Sequence, residues 1–274
     1  MKKVINFKRF VSLTLIAGLL VTGLNAYFLP KSTLAATTPS KFAVIYGDSL
    51  TWESAWEMDN VFAGKTAWGS YVHSFPATAP CDWLGWLQGD LATYHPSVVT
   101  LTTAGNVSTN CMLDANGVPL VMGSDAYFAQ YRQNLNDIFA QVTATGAKMV
   151  YMQSPPFKDP IRNAAVIQIN SIAAQLAASY HGVSISAAAR AALAKNNKYT
   201  DYKPCLPAEK TTPDCVNGQI AIRTITGIQA GLHLCPQGLP DAFPWFCTTY
   251  SSGEMRYGRA IATATITPPK PILP

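Results

Sequence analysis

The chain has 274 residues, 49% of them hydrophobic and 13% charged, enough for one large domain with a substantial apolar core. Its formal charge of +5 is carried by Lys2, Lys3, Lys8, Arg9 and Lys31, which meet no acid before residue 36, so the remainder is close to neutral. That balance offers no basic footprint for nucleic acid.

The same early charges read as an export signal. A basic start, Met1 to Arg9, precedes an apolar stretch from Phe10 to about Leu24, and small residues follow at Thr33-Leu34-Ala35-Ala36. Cleavage is expected after Ala35, with Ala26 as the second position. An uncleaved membrane anchor is the alternative, because Phe10 to Leu29 is nearly long enough to span a bilayer. Either outcome makes the domain secreted or extracytoplasmic. The cysteines agree with this. Cys81, Cys111, Cys205, Cys215, Cys235 and Cys247 are even in number and contain no CxxC pair, which favours disulfides over structural zinc. Sequence alone does not choose the pairing; joining neighbours (81 with 111, 205 with 215, 235 with 247) would staple three loops.

From Lys41 an apolar run of strand-forming residues ends abruptly in Gly47-Asp48-Ser49, reading as a buried strand followed by a turn and a helix start. Ser49 then sits at a strand-to-helix corner, as a nucleophile or as a simple helix cap. Trp52 to Trp68 reads as loop and short helix. Asp82 to Tyr94 has helical apolar spacing and stops at His95-Pro96, with Asp82 as a capping residue. Ser97 to Thr102 is the next strand, and Ser124-Asp125 opens a helix that Gly146 ends. Lys148 to Gln153 is a third strand, Asn163 to Tyr180 a helix, Val183 to Ser186 a short strand, and Ala187 to Leu193 a helix. Asn196 to Cys247 is loop-rich, and a last helix runs from Ser252 to about Ala262. Strands alternating with helices predict a single three-layer α/β/α domain with a mostly parallel sheet over residues 37–264. It lies between the segment 1–36 and a Pro-rich tail, 265–274, expected to be extended or disordered.

Three pieces carry chemistry: Gly47-Asp48-Ser49-Leu50 after the first strand, Gly105-Asn106 after the second, and Gly231-Leu232-His233 near the carboxyl end. Together they resemble the SGNH hydrolases, also called GDSL esterases, over roughly residues 42 to 262. Thr78-Ala79-Pro80-Cys81-Asp82-Trp83, Gly105-Asn106 with Cys111-Met112, and His233-Leu234-Cys235-Pro236 resemble an exported cell-envelope branch of that family. The resemblance implies a flavodoxin-like sheet, Ser49 as nucleophile and His233 as general base. It also implies an oxyanion site of the Ser49 amide, the Ala77 amide and the Asn106 side chain, with no cofactor and no metal. A neutral imidazole suits the role because serine is a weak nucleophile until a base takes its proton.

Two residues depart from the family pattern. Ala230 stands where the family has the Asp that orients the imidazole, and Ala77 stands where it has a glycine. Asp241 or Asp214 is expected to hold His233 instead, or a backbone carbonyl in a Ser-His dyad. Glu53 and Glu57, close after Ser49, read first as a solvated helix face, with lining of the pocket as the alternative, and His73, His95 and His181, at loop or helix ends, read as structural or exposed. Trp52, Trp56, Trp68, Trp83 and Trp86 read as core packing, with a sugar-stacking wall as the alternative. The expectation is a monomeric exported serine esterase acting on an acylated carbohydrate or small ester, with no nucleic-acid partner and a membrane partner only if the leader stays attached. An O-acyltransferase using the same residues, a carbohydrate-binding envelope protein decayed from an esterase, and a lipase-like hydrolase are the alternatives.

Overall fold

In β1 (Lys41–Gly47) residues 43–47 are all buried. Side chains of a strand alternate between faces, so Val44 and Tyr46 enter one hydrophobic cluster while Ala43 and Ile45 enter another. The computed structural model describes residues 39–237, Cys247 and residues 251–273. The proposed leader, 1–36, lies outside the described residues. β1 is followed by two short helices, α1 (Ser49–Glu53) and α2 (Ala55–Ala63), then by strand β2 (Trp68–Ser74) and helix α3 (Pro80–Tyr94). Next come β3 (Val98–Leu101), α4 (Asp125–Ala144), β4 (Lys148–Met152), α5 (Pro160–Ala177), β5 (Val183–Ser186) and α6 (Ala188–Ala192). Two small antiparallel ladders follow, β6 (Ala194–Lys195) with β7 (Lys198–Tyr199) and β8 (Tyr202–Pro204) with β9 (Gln219–Ala221), before the last helix α7 (Ser252–Ile266).

The central sheet has five strands in the order β2-β1-β3-β4-β5, and every pairing is parallel. One face is covered by α3, α4 and α5, the other by α2, α6 and α7. The three-layer fold is therefore as expected. Strand order reverses beside β1, because the chain first moves outward to β2 and then crosses back to β3. In open α/β sheets a crevice forms at the carboxyl ends of the strands at such a point.

The structure adds to the local expectations at three places. The reading of Trp52 to Trp68 as loop and short helix fits α1 and α2, but β2 beyond it was given no element, because Trp-Gly-Ser-Tyr-Val-His-Ser lacks a clean apolar run. It is an edge strand with only Ser74 fully buried, and an edge strand needs no continuous apolar stripe. α7 continues to Ile266, four residues past the expected end, because Ala264 and Thr265 are still buried. The end of the tail takes the extended alternative rather than the disordered one. The Ile272 amide donates to the Val183 carbonyl (3.2 Å) and Leu273 bridges His181, so residues 272 and 273 lie along β5. All three neighbouring cysteine pairs are joined: Cys81–Cys111, Cys205–Cys215 and Cys235–Cys247. These bonds fit an extracytoplasmic protein. Among the described residues no helix is long and apolar enough to cross a membrane.

Candidate active site

The turn from β1 into α1 sets the first group. A Cβ on Gly47 would lie 1.9 Å from Thr51 Oγ1, so only glycine allows the helix to fold back over the strand end. Asp48 caps the helix, its Oδ1 accepting from the Leu50 amide (3.2 Å), while Oδ2 accepts from the Ala104 amide and ties β1 to the loop after β3. Burial pushes the Asp48 carboxyl up to about 6 against those two amides, which favour its charged form. Ser49 is thereby fixed at the first position of α1, with its side chain at a cavity of about 250 Å³. Trp52, Glu53, Pro76, Ala77, Asn106 and His233 also line that cavity.

Ala77 has φ +63°, a left-handed conformation that favours glycine. The chain thus keeps the backbone geometry of a glycine at a non-glycine position, and strain of this kind gathers at functional sites. Asn106 is held from three sides. Its Nδ2 donates to the Thr78 carbonyl (3.1 Å), Arg162 Nη1 donates to its Oδ1 (3.3 Å), and the Tyr131 hydroxyl donates to its backbone carbonyl (2.7 Å). A guanidinium has no acceptor, so it must face the oxygen, which leaves the amide nitrogen turned the other way. Arg162 also donates to the Ala104 carbonyl (2.7 Å). The loop carrying Asn106 is further tied to α3 by the Cys81–Cys111 bond and by Thr109, whose hydroxyl reaches Asp82 (2.7 Å). Asp82 also accepts from the Ala79 amide (2.8 Å) and so caps α3, as expected.

His233 is 7% exposed, on a loop that α7 and Arg223 brace. Arg223, fully buried, donates to the carbonyls of Leu232 (3.1 Å) and Pro156 (2.9 Å) and lies over the rings of Phe157 and Tyr199. Desolvation lowers its guanidinium to about 10. The imidazole itself is held by Glu53. His233 Nδ1 bonds Glu53 Oε1, and the Leu234 amide donates to Oε2 (2.8 Å). A carboxylate only accepts, so Nδ1 carries the proton and Nε2 is left as the acceptor nitrogen.

This overturns the first reading of Glu53 as a solvated residue and fits the alternative that it lines the pocket: it is 1% exposed and borders the cavity. Glu57 is also buried, paired with Arg259 of α7. Asp214 does not hold the imidazole; it lines a separate hollow with Tyr202 and Pro236. Asp241 lies outside the described residues. The available signal was spacing, since residues four apart share a helix face and a helix that starts at Ser49 returns at Glu53 to the same side. His73 is structural, as expected, but it sits in β2 rather than at a loop end and pairs through Nδ1 with Asp90 (2.6 Å). His95 ends α3 in a left-handed conformation, and His181 bridges the tail. Buried Glu254 beside the Cys235–Cys247 bond is no metal set, because both sulfurs are spent in the disulfide.

Residues 43–212 match the sequence profile of a family described as "Protein of unknown function (DUF459)". No curated protein matches the chain. Among solved structures, an α/β hydrolase enzyme from the metagenome of Lake Arreo, Spain, superposes with a TM-score of 0.50 at 14% identity, covering 86% of this chain and 99% of that one. A GDSL-like lipase from Bacteroides thetaiotaomicron reaches 0.47 at 13% identity, over 83% of this chain and 89% of its own. A catalytic mutant of an acetylxylan esterase from Geobacillus stearothermophilus reaches 0.47 at 12%, over 82% and 94%. At these identities the likeness speaks to the fold.

Proposed function

We propose that this chain, which belongs to the DUF459 family, is an exported serine esterase of the SGNH type that hydrolyses O-acyl esters, acetyl esters on cell-envelope carbohydrate in the first instance. The observation that carries the reading is the Glu53–His233 pair beside Ser49 at one cavity. It supplies the orienting carboxylate that Ala230 lacks. Ser49 Oγ attacks the ester carbonyl as His233 Nε2 takes its proton, and Glu53 stabilises the imidazolium. The proton passes to the departing alkoxide, which leaves an acyl group on Ser49. His233 then deprotonates water, which releases the acid and restores the serine. The amides of Ser49 and Ala77 and the Asn106 side chain receive the oxyanion, each such donor being worth about 3–4 kcal/mol of barrier. A sugar hydroxyl replacing that water would give acyl transfer through the same residues.

The test is turnover of p-nitrophenyl acetate by the exported domain and by its Ser49→Ala variant. The expected outcome is burst kinetics in the wild type and none in the variant. Equal rates at background level would leave a non-catalytic envelope protein as the reading.

A further inference from the structure

Between the cavity and the outer edge of the sheet runs a set of aromatic side chains that the chemistry above does not use. Tyr71, His73 and Phe75 occupy alternate positions along β2 and its extension, so they share one face of an edge strand. Phe75 stacks on Trp52 of the cavity wall (5.6 Å between centroids) and lies 5.3 Å from Trp86 of α3. Trp86 lies flat on His73, 4.2 Å away at 5°. Core packing accounts for Trp83, which is 1% exposed, but not for Phe75 at 44% and Tyr71 at 36%.

Helix α3 adds an independent feature. Measured around the helix, Trp83 and Leu87 lie on the buried side of Trp86, and Gly85 and Gly89 lie on the opposite flank. A Cβ at either glycine would meet nothing within 4 Å, so no neighbour requires them. Glycine inside a helix costs about 1 kcal/mol relative to alanine, so helix stability does not favour them either. They leave the surface beside Trp86 bare enough for a ligand to approach the backbone.

We infer that this surface is a binding track for a linear carbohydrate chain, which lies along Trp86 and Phe75 and leads an acylated sugar unit into the Ser49 cavity. The delivery of an ester rests on the esterase reading; the binding of sugar does not. Carbohydrate is the chemistry that fits because a sugar ring presents apolar C–H faces edged with hydroxyls. The rings supply the apolar contact, and the His73–Asp90 pair set among them, each side chain 14% exposed, supplies polar partners.

The experiment uses a panel of partially O-acetylated xylo-, cello- and chito-oligosaccharides of increasing length. Binding to Ser49→Ala is read by titration calorimetry, and kcat/KM is read on the active protein. For at least one series, affinity should rise at least tenfold from monomer to tetramer. The double variant Gly85→Gln/Gly89→Gln, which improves helix propensity while covering the flank of Trp86, should melt no lower than wild type. It should turn over p-nitrophenyl acetate normally and lose the dependence on length. Trp86→Ala should lose it too. Affinity independent of length in all three series would overturn the track, as would a double variant that keeps wild-type length dependence. Since binding is measured on a protein that cannot turn over, failure of the track and failure of the esterase reading give different results.

Discussion

Glu53 shows how one side chain can replace a motif residue from elsewhere in the chain. Its two oxygens accept from two different donors, His233 Nδ1 and the Leu234 amide. An amide in its place has one acceptor and one donor, so Glu53→Gln must break one of these contacts or turn the imidazole into the wrong tautomer. In the serine-protease triad the corresponding Asp to Asn change lowers turnover by about 10⁴. The same mechanism predicts that Glu53→Gln lowers kcat by about 10²–10⁴ while leaving the far-ultraviolet circular dichroism unchanged. Steady-state kinetics on p-nitrophenyl acetate checks it; activity within about twofold of wild type would remove Glu53 from the chemistry. The residue was legible only in part. Ser49, Asn106 and His233 stand in recognisable local motifs, and they line one cavity. Glu53 has no motif, and its contact with His233 spans 180 residues, a separation that no local pattern reports.

At the scale of elements, α7 determines how well the site is supported, although it contributes no side chain to the cavity. It packs against α2 at Gly258, where a Cβ would come 2.8 Å from the Ser54 carbonyl and 3.0 Å from Glu57 Cβ. Glu57 then bonds Arg259 across the same seam. At the start of the helix the Ser251 hydroxyl donates to the Leu234 carbonyl, next to His233. Gly258→Ala therefore has to separate α7 from the turn that follows Glu53. The expected cost is about 1–3 kcal/mol, the range for overpacking a close-packed seam. Urea denaturation measures it, and a variant as stable as wild type would show that the two helices can part without cost. The helices were readable because α3, α4 and α5 carry strong apolar periodicity. β2 was not, because an edge strand bearing Tyr71, His73 and Phe75 on one face shows neither a continuous apolar run nor a clean alternation. The ladders between β6 and β9 are two or three residues each, too short for any period to register.

The whole molecule is electrostatically unusual in placing carboxylates where water does not reach. Asp48 is pushed up to about 6 and Glu254 to about 8, each chiefly by burial; for Glu254 the nearby charge of Glu53 adds to it. The sign of the effect on stability follows directly. Well below the ordinary carboxylate range, under about pH 3, both groups hold a proton whether the chain is folded or not, and they contribute no pH dependence. Between the ordinary carboxylate range and the raised values the unfolded chain has released protons that the folded chain retains. Stability therefore falls as pH rises, from about 4 to 6 for Asp48 and from about 4.5 to 8 for Glu254, by at most about 1.4 kcal/mol per pH unit for each group. Glu209 opposes this only at the acid end, because Arg256 and Ser252 hold its carboxyl below the usual range despite burial. Urea midpoints should accordingly decline between pH 5 and pH 8. Glu254→Gln mimics the uncharged, protonated side chain and cannot ionise at any of these pH values. It should match wild type near pH 5 and exceed it at pH 8, which makes the decline shallower. Parallel midpoint curves for the two proteins would mean that Glu254 ionises in the folded molecule as it does in water, and that its burial beside Glu53 carries no energetic cost.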